Sequence, residues 1–152
     1  MSPARRFGPV VLFACAILAM SGPWASYQAT SDVAEPWLSS LGLSREVAEV
    51  VHKIIRKLGH FTAYGAFAWV AFRGFRGDGP ASPRHAARAW TLALALAVTD
   101  ESLQWLSSLR GASAWDILLD GAGAATVLAV AVSRIARSRR AEATAGETSP
   151  GG

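Results

Sequence analysis

Ten of the fifteen basic residues in this 152-residue chain are arginines that fall between apolar stretches, and this alternation limits the fold more than any other feature. Arg5 and Arg6 precede the first stretch. Arg73, Arg76, Arg84 and Arg88 separate two later ones, and Arg134, Arg137, Arg139 and Arg140 follow the last. If helices at about 7–25, 58–72, 89–108 and 114–133 cross a bilayer, these ten arginines share one side with Asp78, Glu142 and Glu147, a net charge of +7. The other side receives Arg45, Lys53, Arg56, Lys57 and Arg110 against eight carboxylates, a net charge of −3. Cytoplasmic loops collect Lys and Arg, so the alternation predicts a multi-pass protein of the cell membrane with both termini cytoplasmic. A soluble domain has no physical reason for it.

Hydropathy alone is less decisive. Apolar stretches free of Asp, Glu, Lys and Arg include 7–31, 61–72, 89–99, 102–109 and 121–133. Only the first exceeds the roughly 20 apolar residues that a spanning helix needs. Composition narrows the class: 51% of residues are hydrophobic and 17% charged, against about 25% charged in a soluble domain. The single cysteine, Cys15, excludes a disulfide framework. The net charge of +4 is scattered rather than gathered on one stripe, so nucleic acid is not an expected partner. Trp24, Tyr27, Trp37, Trp105 and Trp115 are expected near the outer membrane interface and Trp90 near the inner one. Two other readings compete. Residues 1–21 also fit a cleaved signal peptide, and residues 44–133 also fit a small helical soluble domain behind a single anchor.

Between the stretches, residues 22–43 are rich in Ser, Gly and Pro and read as an external loop. Ser44 then caps an amphipathic helix over 44–57. Val47, Val50, Val51, Ile54, Ile55 and Leu58 recur on one face of it, and Arg45, Glu46, Glu49, His52, Lys53, Arg56 and Lys57 occupy the other. That pattern suits a helix lying in the outer interface and leading into the second span. The tail from Ser138 onward is small and polar and reads as disordered. The expected class is all-α, with four transmembrane helices plus one interfacial helix in a single domain over 1–137.

Ionisable residues then fall inside the spans. Lys57, His60 and Tyr64 share one face of span two. Asp100, Glu101 and Gln104 lie near the outer end of span three, and Asp116 and Asp120 stand one turn apart in span four, just before Gly121 and Gly123. A lone ionised group at a helix centre costs about 2.5–3.5 kcal/mol, so four unpaired carboxylates would cost on the order of 10 kcal/mol. They need partners, and Lys57, Arg110, Arg56 and His60 are the candidates. Residues placed at such cost mark a functional site by default, although a register-fixing polar network is the plainer alternative.

The sequence R-K-L-G-H-F-T-A-Y at 56–64, D-E-S-L-Q at 100–104 and R-G-A-S-A-W-D-I-L-L-D-G-A-G at 110–123 resembles the signature of the VanZ-like family. These are small multi-span membrane proteins named after a teicoplanin-resistance protein. The resemblance covers about residues 45–133 and carries over Lys57, His60, Tyr64, Asp100, Glu101, Gln104, Arg110, Asp116 and Gly123. Asp120 departs from it, since the family pattern has Asn there, which adds a potential negative charge. The resemblance implies four spans and a link to cell-envelope or glycopeptide phenotypes, without an established reaction.

Two functions fit these residues. The first is a non-enzymatic site in the outer leaflet for a polar headgroup, a cell-wall precursor or an acylated glycopeptide. Arg56, Lys57 and Arg110 would engage phosphate or carboxylate, and the four carboxylates, with His60, Tyr64 and Gln104, would complete the site. The alternative is an intramembrane hydrolase or transferase with His60 as base beside Asp100 or Glu101. A divalent metal bound by oxygen ligands is compatible with the second reading, whereas the first needs no cofactor. Transport is disfavoured, because the inner halves of spans three and four offer no polar path.

Overall fold

A computed structural model of the chain describes residues 2–22, 26–106 and 113–147. Among these the fold is all-α, with five helices and no strand. They are α1 (Pro3–Met20), α2 (Tyr27–Ser40), α3 (Arg45–Arg76), α4 (Pro83–Leu106) and α5 (Ala114–Glu147). The central element is α3, which packs against all four of the others, most extensively against α5. At 32 residues it is about 48 Å long. That is longer than the roughly 30 Å of a bilayer's hydrocarbon core.

Three expectations need correction. Residues 22–43 do not form a loop throughout, because α2 occupies Tyr27–Ser40. Ser26 caps it by accepting from Ala29 N at 3.2 Å. Tyr27, Thr30, Ala34 and Leu38, spaced three or four residues apart, turn inward, while Pro36 sits on the exposed side where its missing N–H does least harm. The segment 44–57 is not a separate interfacial helix but the first part of α3, unbroken into the second apolar stretch. Ser44 caps it as expected, accepting from Val47 N at 3.4 Å. Its apolar face (Val47, Val50, Ile54, Ile55, Leu58) is exposed, and the face with Ala48 and His52 is buried. The tail is helical as far as Glu147, so disorder does not begin at Ser138.

The bundle carries large apolar side chains on its exterior and polar ones within its core. Leu12, Val33, Trp105, Trp115 and Leu118 are exposed, whereas His52, Asp100, Glu101, Gln104 and Asp120 are buried. That is the distribution expected where lipid, not water, covers the exterior. Two helices, α1 and the 114–138 part of α5, are long and apolar enough to cross a membrane. The second and third expected spans lie in α3 and α4, whose apolar stretches are shortened by His60 and Arg73 and by Arg88 and Asp100. Trp90, which is partly exposed, donates its indole N–H to Gly121 O at 3.1 Å.

The core is built from small residues. Ala68, Ala71, Ala89, Ala93, Ala97, Ala124 and Ala131 are buried between helices, with Tyr64, Phe67 and Phe72 filling the larger gaps. Without a hydrophobic drive between helices in lipid, close van der Waals approach is what holds them, and small residues permit it. The closest approach is α3 against α5, where a Cβ on Gly123 would lie 2.2 Å from the Phe61 carbonyl oxygen. Helix α1 is integrated into this core: its Val10 and Ile17 are buried in it, and Phe7 meets Phe75 edge to face at 5.5 Å. At the other end of α2, Gly42 takes φ of 90°, a left-handed conformation that turns the chain into α3.

The obstruction at Gly123 is backbone, which cannot rotate away. Gly123→Ala is therefore expected to lower stability by about 1–3 kcal/mol. Gly59→Ala, where nothing lies within 4 Å, should be neutral or stabilising by up to about 1 kcal/mol. Thermal melting of both variants in detergent checks the pair, and equal shifts would contradict the close crossing.

Candidate functional site

Four helices deliver polar groups to one level of the bundle. Asp100 of α4 is 2% exposed and receives two hydrogen bonds through its two carboxylate oxygens. Tyr64 Oη of α3 donates to Oδ2 at 3.2 Å, and Ser21 Oγ, just beyond α1, donates to Oδ1. Asp120 of α5, 3% exposed, lies beside them with Oδ1 3.6 Å from His60 Nδ1. That separation is too long for a hydrogen bond, and Asp120 Oδ1 is buried without a hydrogen-bond partner. His60 stacks on Tyr64 with ring centroids 6.5 Å apart. The helical spacing of His60 and Tyr64 and the placement of Asp100 and Asp120 near helix ends thus bring these four side chains together.

Other residues of the expected site separate from this group. Lys57 does not reach the buried carboxylates; its Nζ donates to Asp116 Oδ1 at 2.8 Å in a largely exposed ion pair between α3 and the start of α5. Glu101 is buried but accepts from Ser113 N, which ties the end of α4 to the start of α5. It is therefore not next to His60, and the carboxylate closest to that imidazole is Asp120. Gln104 is buried on α4 one turn beyond Asp100. Arg110 and Trp24 lie outside the described residues.

A cavity of about 380 Å³ opens against the buried group, between α1, α2 and α3. Phe13, Ala16, Ile17 and Met20 of α1 give it an apolar wall, and Ser21, Thr30, Arg56, His60, Tyr64 and Asp100 give it a polar one. Sequence reasoning had Arg56, His60, Tyr64 and Asp100, but missed Ser21 and Thr30. Thr30 belongs to α2, which the Ser- and Pro-rich composition disguised, and nothing in the pattern around Ser21 distinguishes it from a helix-end serine.

Above the cavity, Thr30 joins α2 to α3. Its Oγ1 accepts from Arg56 Nη1 at 2.8 Å and lies 3.2 Å from His52 Nε2. His52 is 4% exposed, its ring 5.0 Å from that of Tyr27, with Glu35 Oε1 3.8 Å from Nδ1. Burial, reinforced by the positive charge of Arg56 and opposed by Glu35, holds the His52 imidazole below its ordinary 6.5. Unfolding would therefore bind a proton that the folded state resists. Stability contributed here is present above about pH 6.5 and declines as pH falls through that value towards the lower folded one. The melting temperature in detergent is expected to fall between about pH 7.5 and 5.5, and His52→Gln should reduce the fall. An identical pH profile for the variant would exclude His52 as the cause.

The arrangement can do three things chemically. It offers hydrogen-bond donors and a guanidinium to an anionic group, an apolar wall to a chain, and an imidazole–carboxylate pair behind both. No curated protein and no solved structure matches the chain. The family model described as VanZ/LLP1 matches residues 9–136, which runs from the first turns of α1 through the membrane-length part of α5. With more than four-fifths of its residues inside that match, including every residue of the buried group and of the cavity wall, the chain belongs to the VanZ/LLP1 family.

Proposed function

We propose that this is a four-span protein of the cell membrane, with both termini cytoplasmic, that binds an amphiphile of the cell envelope in the cavity between α1, α2 and α3. The ligand would be a lipid-linked cell-wall precursor or an acylated glycopeptide. The observation that carries the reading is the two-sided cavity lining, apolar from α1 and polar from α2, α3 and α4. An amphiphile presents the same division, a hydrocarbon chain and a charged head. Arg56 faces the cavity with a planar fork of donors suited to phosphate or carboxylate. Capture of an acylated glycopeptide there would connect the protein to teicoplanin resistance.

The four-span arrangement is supported by lengths and exposure. α3 and α4 are about 48 and 36 Å long, enough to cross even though their apolar stretches are short. The residues that shorten those stretches, His60 and Asp100, face inward rather than towards lipid, as intramembrane ionisable groups do. The arginines of the α3–α4 connection support a cytoplasmic side for it. In a Cys15→Ser background, Ser40→Cys should react with a membrane-impermeant maleimide in whole cells, and Ser82→Cys only after lysis. The reverse pattern would invert the topology.

Binding is tested with a polyprenyl phosphate and with teicoplanin added separately to the purified protein. Arg56→Ala should weaken whichever of them binds by about 10–100-fold, the equivalent of one or two charge-assisted hydrogen bonds. Ala63→Trp should fill the cavity and abolish binding, while Lys53→Ala, whose ammonium pairs with Glu49 at 2.5 Å on the outer surface, should change nothing. Undiminished binding by both cavity variants would reject the site. Cleavage of the bound lipid would instead favour an enzyme in which His60, backed by Asp120, acts as the base.

A further inference from the structure

We infer that His60, Asp100 and Asp120 form the binding site for a divalent transition-metal ion at the inner end of the cavity. The three residues come from three helices, α3, α4 and α5, and offer one donor atom each, all within 4.8 Å of one another. Ligand atoms that sit about 2.0–2.4 Å from a shared ion lie about 3–4.8 Å apart, depending on the angle between them. The 3.6 Å between His60 Nδ1 and Asp120 Oδ1 falls in that range and outside the range of a hydrogen bond.

The second observation is the state of Asp120. Its Oδ1 is buried, lies 3.6 Å from His60 Nδ1 and has no hydrogen-bond partner. A carboxylate oxygen left so in a low-dielectric interior is costly unless a cation completes it. Lys57 does not supply that cation, because its ammonium is engaged with Asp116 at the surface. A neutral imidazole, two carboxylates and one divalent ion sum to zero charge, the condition under which such a group is tolerated among apolar helices.

The surroundings of Asp100 resemble the outer shell of a metal centre. Tyr64 Oη and Ser21 Oγ donate to its two oxygens and fix the plane of the carboxylate, leaving the remaining lone pairs for an ion. One imidazole with two carboxylates suits Zn²⁺ or Mn²⁺ better than Ca²⁺, which prefers a full cage of oxygens. Three protein ligands leave at least one coordination position open. His60 and Asp100 also line the cavity, so that position faces it. The ion would accept a phosphate or carboxylate oxygen from the headgroup, an extension that rests on the amphiphile-binding reading above.

The test uses the full chain, purified in detergent, stripped with a chelator and titrated with Zn²⁺ or Mn²⁺ alone. About one ion per chain should bind, read by elemental analysis after removal of free metal. His60→Gln and Asp120→Asn should each eliminate stoichiometric binding, and Tyr64→Phe should weaken it by about 10–100-fold, as loss of an outer-shell partner does. Asp116→Asn, on the exposed ion pair, should bind like wild type. Asn is isosteric with Asp, and a melting transition confirms that the Asp120 variant is folded; His60→Gln reads the same site should that variant fail to accumulate. No stoichiometric ion on the wild type, or equal binding by both ligand variants, would overturn the inference. Because no lipid is present in the titration, that failure leaves the amphiphile reading standing. Metal binding without lipid binding would remove only the latter.

Discussion

The buried carboxylate of Asp100 sets the terms for the rest of the bundle. At 2% exposure it lies away from water, in a region where each uncompensated charge costs several kcal/mol. Its compensation comes from groups on two other elements, Tyr64 on α3 and Ser21 at the end of α1. Neither can reach it unless the three helices are held at the observed depth and rotation. The hydrogen bonds therefore select a register that apolar packing between alanines would leave loosely defined, since one small residue can slide past another at little cost.

The small residues matter for the complementary reason. Gly123 lets α5 lie against the backbone of α3 at Phe61, and that contact carries Asp120, three residues earlier, up to His60. A bulkier residue at that crossing would push α5 outward and separate the imidazole from the carboxylate. Glu101, accepting from Ser113 N, anchors the beginning of α5 to the end of α4. The polar group is thus assembled by backbone proximity on one side and by hydrogen bonds on the other. The exterior needs no comparable precision, and it presents Leu12, Ile55, Leu118 and other large apolar side chains.

Much of this was legible in the chain. The arginine clusters lie in the last turn of α3, in the first turns of α4 and after the apolar part of α5, and helical spacing correctly joins His60 to Tyr64. What the pattern did not resolve is rotation about each helix axis. Lys57 shares a face with His60 on paper, yet it emerges at the surface to meet Asp116, which is itself partly exposed. Asp120, one turn further along, is the carboxylate that turns inward. Helix α2 was hidden for a different reason. Its inward face is made of Tyr27, Thr30, Ala34 and Leu38, too small and polar to register as an apolar stripe, and Pro36 reads as a breaker although it is tolerated on the exposed side. Ser21 and Thr30 contribute single hydroxyls whose partners are distant in sequence, a kind of contact for which periodicity carries no signal.

The position of the polar group along the bundle also restricts what it can do. Towards the α3–α4 connection the core is closed by Phe67, Ala68, Ala71 and Phe72 of α3, Ala93 and Ala97 of α4, and Ala124, Leu128 and Ala131 of α5. These side chains pack without an ionisable group among them, so a charge released from His60 or Asp120 in that direction would meet the full desolvation cost. The cavity lies at the other side of the cluster, bounded by α1 and α2. A site open on one side and sealed on the other favours a ligand that enters and leaves by the same route, as in binding or in chemistry on a tethered substrate, over conduction through the bundle. The apolar wall from α1 adds a direction to that route: a ligand whose chain stays among the helices and whose head meets Arg56, His60 and Asp100 satisfies both walls at once, whereas a free polar ion would leave Phe13, Ile17 and Met20 without a partner.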